Sequence, residues 1–161
     1  MRFANCLRGV SKLANAFGGL LYVVLFLIFI LQVVARFVFN QPLPWTDELV
    51  VILYIWVILW AAAFMVPERE HVVFDLVYHA ASPQVRRLMR ITSHLMIGGL
   101  AAWALPASWS YIHFMAREGT PVLGLPFMWV FLPFALLLVS LIARGIWQIA
   151  LVVREFIEEK K

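Results

Sequence analysis

The chain has 161 residues, of which 64% are hydrophobic and only 14% charged, and its formal net charge is +4; its mean hydropathy is +0.91. A soluble domain is about half apolar and about a quarter charged, so this chain cannot cover itself in water and is expected in a lipid bilayer. The positive balance then reads as membrane topology and not as a nucleic-acid footprint, and the single cysteine, Cys6, excludes an intrachain disulfide.

Arg2, Arg8 and Lys12 precede an uncharged run from Leu13 to Ala35. Such a run crosses a hydrocarbon core of roughly 30 Å at about 1.5 Å per residue. It is too long for the apolar core of a secretory signal and no A-x-A site follows it, so it is expected to persist as the first span. "RFVFNQPLPWTDELV", residues 36 to 50, interrupts the apolar sequence. Thr46 is the expected N-cap of a second helix, with Asp47 and Glu48 in its first turn, where carboxylates complement the helix dipole. Trp45 belongs at headgroup depth. One acid suffices for such a helix start. The second leaves room for an ion pair with Arg36 or for contact with another protein.

The second span is expected over residues 49–66. In "HVVFDLVYHAASPQ", Val73, Leu76, Val77 and Ala80 recur at helical spacing, with Asp75 and His79 on another side. The pattern predicts a short amphipathic helix in the membrane interface over about residues 72–81. Ser82-Pro83 then reads as the start of a helix that runs through Arg86, Arg87 and Arg90 into a third span, 91–116. Gly98 and Ala102 form a small-xxx-small pair there, as Ala14 and Gly18 do in the first span, and both pairs suit close helix contact. A fourth span is expected over 120–143. Pro121 and Pro126 frame its start, so that its helix is expected to begin near Pro126. Pro106 and Pro133 are expected to kink spans three and four. Arg144 reads as a residue that snorkels from a longer helix. The scattered Gln32, Ser93, Ser108, Ser110 and Ser140 read as polar groups for helix packing.

These runs lack the alternation of barrel strands, and lipid requires every backbone group to bond internally. The fold class is therefore an all-α integral membrane protein, one membrane domain over residues 1–161 with four transmembrane helices. Arg2, Arg8 and Lys12, the loop residues Arg69, Arg86, Arg87 and Arg90, and the C-terminal Arg144, Arg154, Lys160 and Lys161 all fall on one side, against Arg36 and Arg117 on the other. The positive-inside rule places both termini in the cytoplasm.

Chemistry inside the membrane is sparse. Apart from His94 and His113, no ionisable residue is expected in a span core, whereas ion and proton pathways need such groups or broken, polar helices. The two histidines lie about 28 Å apart on one helix and cannot share a haem. His71, His79 and His94 match no metal spacing. No phosphate loop and no nucleophile–base pair occurs. No enzyme activity, cofactor or metal is expected, and the packing residues point to membrane partners.

"RFVFNQPLPWTDELV" resembles the R-x-x-x-N-x-P-x-x-W-x-[DE]-E signature of the small permease subunit of tripartite ATP-independent periplasmic (TRAP) transporters. It is carried here by Arg36, Asn40, Pro42, Trp45, Asp47 and Glu48. "HVVFDLV" resembles the family's H-x-x-x-D element at His71 and Asp75, and "GTPVLGLPFMWVFLP" its T-P-x-L-x-[IL]-P element at Pro121 and Pro126. The resemblance covers about residues 36–143. Glu70, where many members carry Gly, and "WAAAF" in span two, where Gly is common, depart from the pattern.

The resemblance implies a bacterial inner-membrane subunit (DctQ-type) that scaffolds a large multi-span permease. That permease would carry the substrate and sodium sites, and a periplasmic substrate-binding protein would deliver an organic acid such as a C4-dicarboxylate or sugar acid. Two rival classes remain at this stage. A membrane anchor of a redox complex would show a haem spectrum. A self-sufficient small transporter, resembling small multidrug exporters, would need a membrane-embedded acid.

Overall fold

The computed structural model describes residues 2–66 and 82–158. Four long helices make up almost all of it: α1 (Arg2–Phe37), α2 (Pro44–Trp60), α3 (Pro83–Phe114) and α4 (Phe127–Glu158). A π turn, Ala61–Met65, prolongs α2, and a 3-10 turn, Met115–Arg117, ends α3. Four segments are long and apolar enough to cross a membrane: Ser11–Phe37, Pro44–Met65, Leu88–Arg117 and Phe127–Val152. The interfacial helix expected at 72–81, with His71 and Asp75, lies outside the described residues.

The bounds of the fourth run, 120–143, shift at both ends, toward the start near Pro126 and the longer helix around Arg144 that the sequence had pointed to. Residues 120–126 are a loop and not the start of span four. Gly124 has φ +65°, a left-handed value that costs glycine little, and Pro126 lies just before the helix, so α4 begins at Phe127. At its other end α4 continues past residue 143 to Glu158, which places Arg144 inside the Phe127–Val152 span. The spans are therefore less bare of charge than their sequence suggests.

The helices form an open row in the order α1–α2–α4–α3. The largest contact is between α3 and α4, followed by α1 with α2 and α2 with α4, while no extensive contact joins α1 to α3. Such a row buries little. Its buried apolar residues are Ala35, Ala63, Ala101, Ile112, Val130, Ala135, Leu138 and Val152. The alanines among them reflect how membrane helices associate. Lipid tails are as apolar as leucine, so close backbone approach at small residues replaces a large-residue core.

Glycines mark the two tightest approaches. A Cβ on Gly145 of α4 would sit 3.3 Å from the His94 carbonyl oxygen and 3.5 Å from the Gly98 Cα of α3. A Cβ on Gly18 of α1 would sit 2.5 Å from Met65 Sδ and 3.2 Å from Trp60 Cδ1. Trp60 fills that notch. Its indole N–H donates to the Ala14 carbonyl at 3.0 Å, and its ring lies 4.6 Å from Phe17 and 4.5 Å from Phe64. The Ala14/Gly18 pair thus serves an internal contact.

Two sets of carbonyls left without a helical donor are met by side chains from neighbouring helices. Proline has no N–H, so the carbonyl four residues before it loses its helical donor. Pro133 frees Trp129 in this way, and the Trp56 indole of α2 donates to the Trp129 carbonyl at 3.0 Å. The π turn ends at Met65 and Val66 is extended, so the last carbonyls of this segment have no helical donor. There the Arg144 guanidinium donates to the Ala63 carbonyl at 2.6 Å and to the Val66 carbonyl at 3.0 Å. A cation at a helix C-terminus also complements its dipole. The serines behave differently from expectation. Ser93, Ser108, Ser110 and Ser140 donate to carbonyls three or four residues earlier in their own helices and do not bridge between helices.

Candidate functional site

The residues of the long motif gather where α1 hands over to α2. Beyond Phe37, the Val38 amide returns to the Val34 carbonyl at 2.9 Å and the Gln41 amide to the Ala35 carbonyl at 3.0 Å. Asn40 reverses the chain with φ +50°. Among non-glycine residues asparagine tolerates this region best, because its short amide side chain bonds locally. Pro42 is exposed in the linker that follows.

Helix α2 starts two residues before the expected cap. Leu43 is the N-cap, with φ −103° and ψ 98° and no side-chain cap bond, and Pro44 is the first helical residue. Proline suits that position because its fixed φ is already helical and its missing N–H would have no partner there. Thr46 is therefore not the N-cap. It is completely buried, and its hydroxyl donates back to the Leu43 carbonyl at 2.6 Å. Trp45 beside it is 38% exposed.

The two acids serve different neighbours. The Asp47 carboxylate accepts from the Gln32 side-chain amide of α1. Glu48 reaches the loop between α3 and α4, where its Oε2 accepts the Val122 amide at 2.8 Å and the Leu123 amide at 3.1 Å. Successive amides of a turn make a small anion-binding concavity, and here a side chain of the same protein occupies it. Among the described residues neither acid takes up the pairing with Arg36 that the sequence left open, and Arg36 is exposed.

The loop that receives Glu48 is internally tied. The Thr120 amide donates to the Leu125 carbonyl at 2.9 Å and the Gly124 amide to the Thr120 carbonyl at 3.0 Å. The Leu125 amide donates to the Thr120 hydroxyl oxygen at 3.0 Å, and the Thr120 side chain also lies beside the Glu48 carboxylate. Gly119 and Pro126 form an isolated antiparallel bridge that closes the loop, and the Phe127 amide returns to the Glu118 carbonyl at 3.0 Å. Pro121 is exposed on the rim. Two motif elements far apart in sequence thus meet through one carboxylate.

Other candidates are dispersed. Gly98 faces Gly145 inside the α3–α4 contact, whereas Ala102 is exposed on another side of α3, so the pair does not form one contact stripe. His71 and Asp75 fall outside the described residues. Among the described residues no group of His, Cys, Asp or Glu has the arrangement of a metal site. Thr120 and Arg144 carry loop or interhelical bonds that sequence reasoning missed, whereas Gln32 bonds between helices as expected of a packing group. The signal for Trp56 lay in Pro133, which strands a carbonyl. Gln32 was visible as a polar residue in an uncharged run.

The arrangement braces helices, and among the described residues no cluster of metal-ligating groups accompanies it. The model of the tripartite ATP-independent periplasmic transporters, DctQ component, matches residues 25–155. The chain is 30% identical over 88 residues to the sialic acid TRAP transporter permease protein SiaT of Haemophilus influenzae, covering 55% of this chain and 14% of that one. It is 27% identical over 82 residues to the C4-dicarboxylate TRAP transporter small permease protein DctQ of Vibrio cholerae, covering 51% of this chain and 35% of that one. The matched segments are thus well under two thirds of either relative. The family match takes in the α1–α2 junction, the Glu48 loop and most of α4, and the chain belongs to the DctQ component family of the tripartite ATP-independent periplasmic transporters.

Proposed function

We propose that this chain is the small membrane subunit of a TRAP transporter, and that it steadies a large permease during sodium-coupled uptake of an organic acid delivered by a binding protein. The observation that carries the reading is the use of its polar groups. Glu48, Asp47, Trp56, Trp60 and Arg144 are engaged with neighbouring segments of the same chain. A transport pathway needs polar groups that meet solute, whereas a scaffold needs them fixed. The two relatives are named for different substrates, sialic acid and a C4-dicarboxylate, at comparable identity. That supports a subunit that does not choose the substrate, which on this reading is a C4-dicarboxylate or a sugar acid.

On this reading the protein sits in the bacterial inner membrane with both termini cytoplasmic. The Arg36–Glu48 and Arg117–Pro126 segments then face the periplasm, where the binding protein arrives. Reconstitution tests it. The chain alone in proteoliposomes gives no sodium-driven uptake, and uptake appears when the large permease and the binding protein are added. Uptake by the chain alone, or equal uptake with the chain left out, refutes the scaffold.

A further inference from the structure

Of the two prolines inside described helices, Pro133 strands the Trp129 carbonyl, which receives a donor from the neighbouring helix, the Trp56 indole. Pro106 is the other. It lies inside α3 and deprives the Ala102 carbonyl of its helical donor. Ala102 stands at the middle of the Leu88–Arg117 span. Among the described residues no side chain donates to it, and α3 packs extensively on α4 alone, along the side that carries Gly98 and Ala101. Ala102 and Pro106 are on the exposed side, with Gly99 and Ser110 one turn beyond each end. Trp103 beside them is 81% exposed.

We propose that this face of α3 is covered by a transmembrane helix of the large permease, which presents an indole, hydroxyl or amide donor to the Ala102 carbonyl. The inference rests on the scaffold reading and names the surface it uses. Three considerations choose a protein helix over lipid. First, acyl chains have no hydrogen-bond donor, and an unmet backbone group in the hydrocarbon core is costly. Second, the face is electronegative at the one point where a donor is needed, which makes it complementary to a polar side chain and not to a methylene chain. Third, Gly99, Ala102 and Ser110 are small, so that a partner backbone can come close enough to deliver a short side chain. The chain's own answer to the same problem at Trp129 is a cross-helix donor.

The test uses the full chain, tagged and co-expressed with the large permease of its transporter. Ala102→Leu blocks close approach but meets no neighbour within the chain, because Ala102 is exposed. The expected result is that it captures about tenfold less permease than wild type, as loss of a mid-membrane hydrogen bond and close contact implies. The isolated variant keeps its helical circular dichroism and its melting temperature. A photo-cross-linking phenylalanine analogue at Trp103 is expected to give a covalent adduct with the permease. Undiminished capture by Ala102→Leu, or adducts with lipid alone, overturns the assignment of this face while leaving the scaffold reading intact. Failure of the wild-type chain to capture the permease overturns both.

Discussion

Trp56→Phe removes one N–H donor and keeps most of the aromatic area. The lost bond is the 3.0 Å contact to the Trp129 carbonyl, the acceptor stranded by Pro133. Cross-helix hydrogen bonds in membrane proteins average about 0.6 kcal/mol and reach about 1.7 kcal/mol, because separated helices often find other partners. This acceptor has no regular helical donor to fall back on, since position 133 is proline in the separated helix as well. The cost is therefore expected in the upper half of that range, about 1–1.5 kcal/mol. Pro133→Ala supplies the missing N–H. In that background the same Trp56→Phe change is expected to cost less than about 0.5 kcal/mol, a coupling of about 1 kcal/mol and roughly fivefold in the unfolding constant. The cycle also removes the separate cost of altering the fully buried Pro133. Reversible unfolding of the purified chain in mixed micelles, followed by far-ultraviolet circular dichroism, measures it. Equal costs of Trp56→Phe in the two backgrounds would refute the pairing of indole and stranded carbonyl.

At the α3–α4 crossing, Gly145→Val is expected to destabilise by about 1–3 kcal/mol through overpacking against His94 and Gly98, whereas Gly98→Ala, whose Cβ meets Gly145 Cα at an ordinary 3.8 Å, is expected to be tolerated; thermal melts in detergent rank them, and the reverse order would displace the crossing. Arg144→Met leaves the Ala63 and Val66 carbonyls without their guanidinium donors and is expected to cost about 1–3 kcal/mol, with Arg144→Lys between it and wild type because an ammonium lacks the planar fork. Glu48→Gln is expected to speed hydrogen exchange at the Val122 and Leu123 amides, and Glu48→Ala more so, with the α3–α4 crossing unchanged; unaltered exchange at both amides would remove the Glu48 tie. Asp47→Asn leaves that tie in place and is expected to leave the half-saturating binding-protein concentration unchanged at low salt; a rise that vanishes at high salt would give Asp47 a docking role.

The four spans were legible because each rests on a long apolar run, which hydropathy detects without knowing any contact. The apolar run alone overshoots the start of α4, because Val122, Leu123 and Leu125 are as apolar as a helix and hide a loop. Pro126 pointed to the boundary, and the left-handed Gly124 explains it. The start of α2 was misplaced because a threonine before two acids imitates a cap, while Pro44 two residues earlier fills the first helical position. The partner of Glu48 lies 74 positions away, and nothing local to Glu48 points to Val122. The direction of Gly98 was equally hidden. In a helix that is apolar on every side, periodicity does not tell the face toward α4 from the face toward lipid.

Two adjacent acids at the start of an apolar helix have a geometric explanation. Neighbouring residues on a helix point about 100° apart, so Asp47 and Glu48 cannot serve the same partner. Asp47 turns to Gln32 of α1, and Glu48 turns to the loop that leads into α4. One pair of residues thereby ties α2 to both of its neighbours at one end. Trp56 ties α2 to α4 further along, Trp60 ties it to α1, and Arg144 ties its last turn to α4. A row of helices without a closed core has few apolar contacts to hold its angles. Hydrogen bonds at both ends and the middle of α2 fix those angles with groups that lipid cannot satisfy. For the scaffold role proposed above, such ties serve better than a larger core, because a directional bond resists sliding and rotation where apolar contacts permit both.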